Sequence, residues 1–254
     1  MIEKLKIKLK EFKLLLGSIP VLSLFFVLSV IAMNLLANKS INSSYKYLAL
    51  DCGVTVSWVA FLVMDIVSKH FGPEAATELS IFAILINAVF ALIMFIGSVI
   101  PGAWGESYVE AGSEMINTAL NNTFGGTWYV LLGSTVAFIV SAIINNFTNY
   151  GIGKLFKKNP DSVIAYISRS YVSTAIGQFA DNITFAFLVS KIFFGWTILQ
   201  CVACAFIGMI IELLCEVLFS GIGYKICQNF KKNDVGKEYF EYVKSNKTVR
   251  NEEN

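Results

Sequence analysis

The side chains best placed to do chemistry lie in one stretch, ISRSYVSTAIGQFADNITFAF (167–187), which carries Arg169, Gln178 and Asp181 inside an otherwise apolar run. On a helix, at about 100° per residue, Ser170, Thr174, Gln178 and Asp181 fall within an arc of roughly 80°. Tyr171, Val172, Ile176, Phe179, Ile183 and Phe187 fill the other faces. A charge at the centre of a bilayer costs at least about 2.5–3.5 kcal/mol. A helix of this kind is therefore expected to turn its polar stripe toward a protein interior or a wet cavity. Carboxylates accept hydrogen bonds and amides both donate and accept, so the stripe has the makings of a site for a small polar solute.

The rest of the chain has to hold that stripe in a membrane. Its 254 residues are 56% hydrophobic and only 15% charged, with mean hydropathy +0.64. Soluble domains carry roughly 25% charged residues, so the composition describes an integral membrane protein. A single histidine argues against a His-based zinc or relay centre. Cys201 and Cys204 form a C-x-x-C without a second pair or a His partner, and they read as small core residues. No metal and no cofactor is expected. No P-loop, Gly-x-Ser-x-Gly or His-x-x-Glu-His set is present, so the chain reads as a non-enzyme.

In chain order, residues 1–13 alternate Lys with Ile and Leu, the pattern of a helix on the cytoplasmic face, and are read as a leader over 1–19. Six transmembrane helices in one all-α bundle are expected within 20–227, at about 20–37, 53–67, 79–100, 127–144, 167–187 and 197–222. The four prolines (Pro20, Pro73, Pro101, Pro160) sit at the borders of these spans. A short amphipathic helix over 108–120 is expected in the outer loop before the fourth span. A charged, partly disordered tail is expected over 228–254. With both termini cytoplasmic, the inner segments hold sixteen of the twenty Lys and Arg residues, as the positive-inside rule requires. No cleavable signal segment is evident, so the location read is the plasma membrane.

Polar residues recur in the other spans. Asn34, Asn38 and Lys39 end the first, as site residues or interfacial anchors. Thr55, Trp58, Asp65 and Lys69 share one side of the second. Asn87 stands alone in the third. Ser134, Ser141, Asn145 and Asn149 share a face of the fourth, and Glu212 and Glu216 lie four apart in the sixth. Two carboxylates in an apolar helix must be paired or protonated. A faint ungapped echo relates 133–148 to 169–184 and pairs Ser134 with Ser170, Asn145 with Asp181, and Asn146 with Asn182. Inverted repeats with a site at their interface occur in transporters.

Several of these motifs occur together, in order, in one known group. NLLANK (34–39), Gly53 with Asp65 and Gly72, TALNNTFGGTW (118–128) with Ser134 and Phe138, the set Arg169, Ser173–Thr174, Gln178, Asp181 and Phe185, and Glu216-Val-Leu with Tyr224 resemble the queuosine precursor transporter family, of vitamin-uptake type. The resemblance covers most of 24–226. It implies import of 7-deazaguanine bases such as queuine, with no nucleic acid bound by the transporter itself. The resemblance carries Gln178, Asp181, Asp65, Asn38, Thr174 and Phe185 as expected substrate-binding residues, with Arg169, Glu216 and Lys39 as structural or coupling charges. Asn145 and Trp58 join the expected site, and Lys69 and Glu212 the expected charges, from their own chemistry and position.

The chain departs from the family pattern at Lys69, where an acid is usual, and at Glu212, where a Lys is usual. It also has Ala142 and Asn145 where the fourth span usually carries Gln and Asp. A swapped ion pair between Lys69 and Glu212 is one expectation. The partners expected are a purine-like small molecule and the lipid bilayer, with proton or ion coupling, a homodimer and an ATP-driven module left open. The alternative function is a substrate-binding subunit of an ATP-driven vitamin importer for another small heterocycle.

Overall fold

The computed structural model describes residues 2–41, 44–45, 48, 50–105, 113–155 and 171–252. The elements are α1 (Ile2–Ser18), α2 (Pro20–Leu36), β1 (Ser40–Ile41), β2 (Leu50–Asp51), α3 (Val54–Phe71), α4 (Pro73–Val99), α5 (Ser113–Gly125), α6 (Thr127–Leu155), α7 (Ser173–Phe185), a π-helical turn (Ala186–Ser190), α8 (Lys191–Phe193), α9 (Ile198–Lys232) and α10 (Lys237–Glu252). The two short strands pair antiparallel, Ser40 with Asp51 and Ile41 with Leu50.

The all-α character stands, but the count of six spans does not. Among the described residues four helices are long and apolar enough to cross a membrane: Val54–Phe71, Pro73–Val99, Ser113–Ser141 and Ile198–Lys232. A fifth is reached only if Leu5–Ser18 and Pro20–Leu36, bent by 98° at their junction, are taken as one broken span. The reasons are physical. Alone, the 17 residues of α2 rise about 26 Å at roughly 1.5 Å each, less than the shortest helix that qualifies, the 18 residues of Val54–Phe71. The expected span at 167–187 is described only from 171, and its α-helical part, α7, has 13 residues before it gives way to the π-helical turn Ala186–Ser190. The helix expected over 108–120 starts, among the described residues, at Ser113 and continues with α6 as one membrane-length stretch rather than standing apart.

The packing is that of a protein meant for lipid. Buried helix contacts are made by small residues, with Ala75, Ala83, Ala137 and Ala205 fully buried, while Leu85, Leu92, Ile93, Leu214 and Leu218 are more than half exposed. In a bilayer large apolar side chains gain nothing by leaving the lipid, so close backbone approach at small residues drives association.

The chain divides into two compact units, one of Met1–Val30, Trp58–Ile86 and Glu216–Asn254, the other of Ile31–Ser57 and Asn87–Cys215. In the first unit the basic leader is tied down. Lys8 Nζ lies 2.7 Å from Glu78 Oε1 and 3.6 Å from Glu11 Oε2, and Phe12 meets Phe82 at 5.1 Å between ring centres. The hydrogen bond to Glu78 holds the Lys8 ammonium above its usual pKa against partial desolvation.

The tail, expected to be partly disordered, forms α10. His70 explains it. Its Nε2 lies 2.9 Å from the Val235 carbonyl, and its ring meets Phe71, Phe230 and Phe240 edge-on. Tyr239 is buried beside them, which pushes its phenol up to about 12, the nearby Glu78, Glu11 and Glu74 adding to the effect. Gly236 makes the turn into α10 at φ +84°, and an added Cβ would run into the Phe71 ring. Gly236→Ala is therefore expected to cost about 1–3 kcal/mol in backbone strain alone and to undock α10. Limited proteolysis read at the 233–236 turn checks it, with faster cleavage as the expected result.

In the second unit α6 and α7 pack side by side. Ala37, Val130 and Val189 form a buried cluster with Tyr129, Phe185 and Phe194 against it. A second cluster joins Ala186, Trp196, Cys201 and Cys204. The C-x-x-C is thus core, and all five cysteines are free thiols. The turn between α8 and α9 closes at Gly195, φ +69°, with the Phe194 and Trp196 amides both donating to the Ser190 carbonyl.

Candidate functional site

The second unit contains the polar side chains that the membrane environment tolerates least. α7 lines up Gln178, Asp181 and Asn182 at i, i+3 and i+4, so they share a face. Gln178 is 3% exposed, and neither its Oε1 nor its Nε2 has a hydrogen-bond partner. Leaving a buried polar group unpaired costs about 1–3 kcal/mol, and an amide that carries this cost on both atoms is suited to an incoming donor–acceptor edge.

Glu212 on α9 is 5% exposed. Ser57 Oγ donates to its Oε1 at 2.9 Å, and Asn182 Nδ2 donates to its Oε2 at 3.0 Å. The Asp181 and Asp51 carboxylates are near enough to act on it electrostatically. Asp51 sits at the end of β2, outside the membrane-length helices, and its carboxylate accepts from the Gly53 amide at 2.8 Å. Burial pushes Asp51 up to about 6, with the Gly53 and Val54 amides pulling it back. Two glycines make this arrangement fit. A Cβ at Gly208 would lie 2.9 Å from Asn182 Nδ2, and one at Gly53 would lie 2.6 Å from the Met33 carbonyl oxygen.

The other expected site residues fall in three places. Asn38 belongs to the same unit, where its Oδ1 accepts from Tyr129 Oη at 3.1 Å and its Nδ2 donates to the Leu35 carbonyl at 3.1 Å. Thr174 is half-buried one turn before Gln178, and Lys39 is exposed. Phe185 is committed to the Ala37–Val130–Val189 core. Asp65, Lys69, Trp58 and Glu216 fall in the first unit. There Lys69 Nζ pairs with Asp65 Oδ2 at 2.9 Å, one turn apart. Trp58 stacks on Phe219 at 4.2 Å and 15°, and Glu216 Oε2 is buried without a hydrogen-bond partner. Arg169 lies outside the described residues, as do the side chains of Asn145 and Ala142.

Sequence reading passed over Asn182, Ser57 and Asp51 as site residues. Asn182 was detectable, since it follows Asp181 directly and faces the same side. Ser57 was not, because a lone serine in an apolar helix carries no signal until Glu212 is brought beside it. Asn87, fully buried with both amide atoms unpaired, belongs to the same unit and also stood out only weakly.

This buried face offers the hydrogen-bond acceptors and donors of carboxylates and amides, and no group of three or more His, Cys, Asp or Glu residues among the described residues is arranged to hold a metal ion. The family model for vitamin uptake transporters matches residues 51–226. The chain belongs to that family. The match begins at Asp51 and runs past Glu212 and Glu216, so every residue of the Ser57–Asn182–Glu212 cluster lies inside it. Searches among curated proteins and among solved structures return no match. Membership in the vitamin uptake transporter family makes this a multi-pass membrane protein with a transport function, not an enzyme.

Proposed function

We propose that the protein imports a queuosine precursor, a 7-deazaguanine base such as queuine, through the site formed by Gln178, Asp181, Asn182 and Glu212. The observation that carries this reading is the Gln178 amide, buried and unpaired on both atoms, one turn from Asp181 and from Asn182, which donates to Glu212. A 7-deazaguanine presents ring N–H and amino donors beside a carbonyl acceptor. Asp181 and Glu212 can take the donors, and Gln178 Nε2 can serve the carbonyl. Contacts to buried groups of this kind discriminate strongly, because a wrong edge leaves polar atoms unpaired on both partners. We place the protein in the plasma membrane with its Lys-rich ends cytoplasmic, following the distribution of basic residues.

The test is binding of queuine, guanine and riboflavin to the purified protein, followed by uptake into liposomes. Queuine is expected to bind selectively, with Gln178→Ala and Asp181→Ala each weakening binding about tenfold or more, the value of one hydrogen bond to a buried or charged partner. Selective riboflavin binding, or variants that bind queuine normally, would overturn the reading. Queuine binding without uptake by the protein alone would favour the substrate-binding subunit of an ATP-driven importer.

A further inference from the structure

We propose that Glu212 carries a proton while the site is empty and releases it when the solute binds, so that solute and proton exchange at one carboxyl group. This rests on the solute-site reading above.

The geometry beneath Glu212 is the first support. Ser57 has one hydroxyl proton but two oxygens in range, Glu212 Oε1 at 2.9 Å and the Val54 carbonyl at 3.3 Å. A neutral Glu212 satisfies all of them in a chain. The carboxyl O–H donates to Ser57 Oγ, the Ser57 hydroxyl donates to the Val54 carbonyl, and Asn182 Nδ2 donates to the remaining oxygen, Oε2. An ionised Glu212 would instead turn the Ser57 hydroxyl away from Val54.

The groups around Glu212 are the second support. Asp181 from α7 and Asp51 from β2 bring negative charge toward it, and Cys204, Cys215 and, four residues on, Glu216 are the titratable groups near it along its own helix. No salt bridge to Glu212 is present among the described residues. A carboxylate buried in this way without a counter-ion is costly, and the inexpensive ways to neutralise it are a proton, a metal ion or a bound donor. The described residues do not converge on a metal, which leaves the proton for the empty state.

The third support is independent and points to the ligand. Gln178 is 97% buried with both amide atoms unpaired, and it lies on the α7 face that carries Asp181 and Asn182. A solute that meets Gln178 there presents its N–H donors to the same face. Those donors favour the ionised carboxylate, so the Glu212 proton leaves to bulk water as the solute N–H takes its place.

Calorimetry of queuine binding to the purified full-length protein, in buffers of different ionisation enthalpy, counts the protons released. The wild type is expected to release about one proton per solute and to bind roughly tenfold more tightly per pH unit while Glu212 titrates. Glu212→Gln is expected to release none and to lose that pH dependence. Asp51→Asn, which removes one negative charge acting on Glu212 and keeps an oxygen for the Gly53 amide, is expected to move half-maximal release to lower pH. It serves as the second readout if the Gln variant does not fold. Binding with no proton released, release that persists in Glu212→Gln, or an unmoved midpoint in Asp51→Asn would overturn the exchange while leaving the solute site standing. Absence of queuine binding by the wild type would overturn both.

Discussion

Gly208→Val is expected to cut solute uptake by roughly ten- to a hundredfold while the protein still inserts in the membrane. A Cβ at position 208 would lie 2.9 Å from Asn182 Nδ2 and 3.3 Å from its Cγ, closer than side chains settle. The backbone of α9 cannot yield, so the Asn182 amide must swing away. Its bond to Glu212 Oε2 is then lost, and one oxygen of a nearly fully buried carboxyl group is left unpaired. Hydrogen bonds to charged groups are worth about 1.5–3 kcal/mol, which sets the range of the expected loss. The decisive comparison is uptake into liposomes alongside thermal unfolding of the same preparation. A fall in uptake with little change in midpoint supports a positioning role for Gly208. Normal uptake would mean that the Asn182–Glu212 contact does not contribute to transport.

The larger effect on the fold is expected at Gly133. A Cβ there would run into Val189 Cγ2, with Phe185 Cδ2 next at 3.8 Å, and both side chains belong to the core cluster that includes Ala37 and Val130. Here α6 packs against the π-helical turn after α7. Gly133→Leu adds four carbons where not even one fits. Overpacking a filled core costs about 1–3 kcal/mol, occasionally more, and a whole leucine side chain belongs at the upper end. Loss of the monodisperse species in detergent, or a thermal midpoint lowered by several degrees, is the expected result, with Gly133→Ala intermediate. An unchanged midpoint in Gly133→Leu would show that α6 and the turn are not held in contact. Because α7 carries Gln178, Asp181 and Asn182, the same substitution is expected to impair the site from a distance.

The helical, membrane-embedded class of this protein was legible in its residues. Few charges, long apolar runs and prolines confined to borders leave a chain no stable alternative to helices in lipid. The polar stripe was legible for a related reason, since Gln178 and Asp181 are too costly among apolar neighbours to be incidental, and their spacing puts them on one face. The motifs that resemble transporters of queuosine precursors led to the same broad family that the match over 51–226 establishes.

Span number and partnership were decided by tertiary structure. Hydropathy along the chain cannot register the 98° bend before Pro20 or the change from α- to π-helix after Phe185, because length and straightness depend on what each helix packs against. Nor could the sequence assign partners to its polar side chains. Lys69 pairs at 2.9 Å with Asp65, one turn away and, like it, about half exposed. Glu212 finds its partners 155 and 30 residues away, in Ser57 and Asn182. A residue's type states what it must bond to, but which neighbour answers is decided only when helices distant in the chain are packed together.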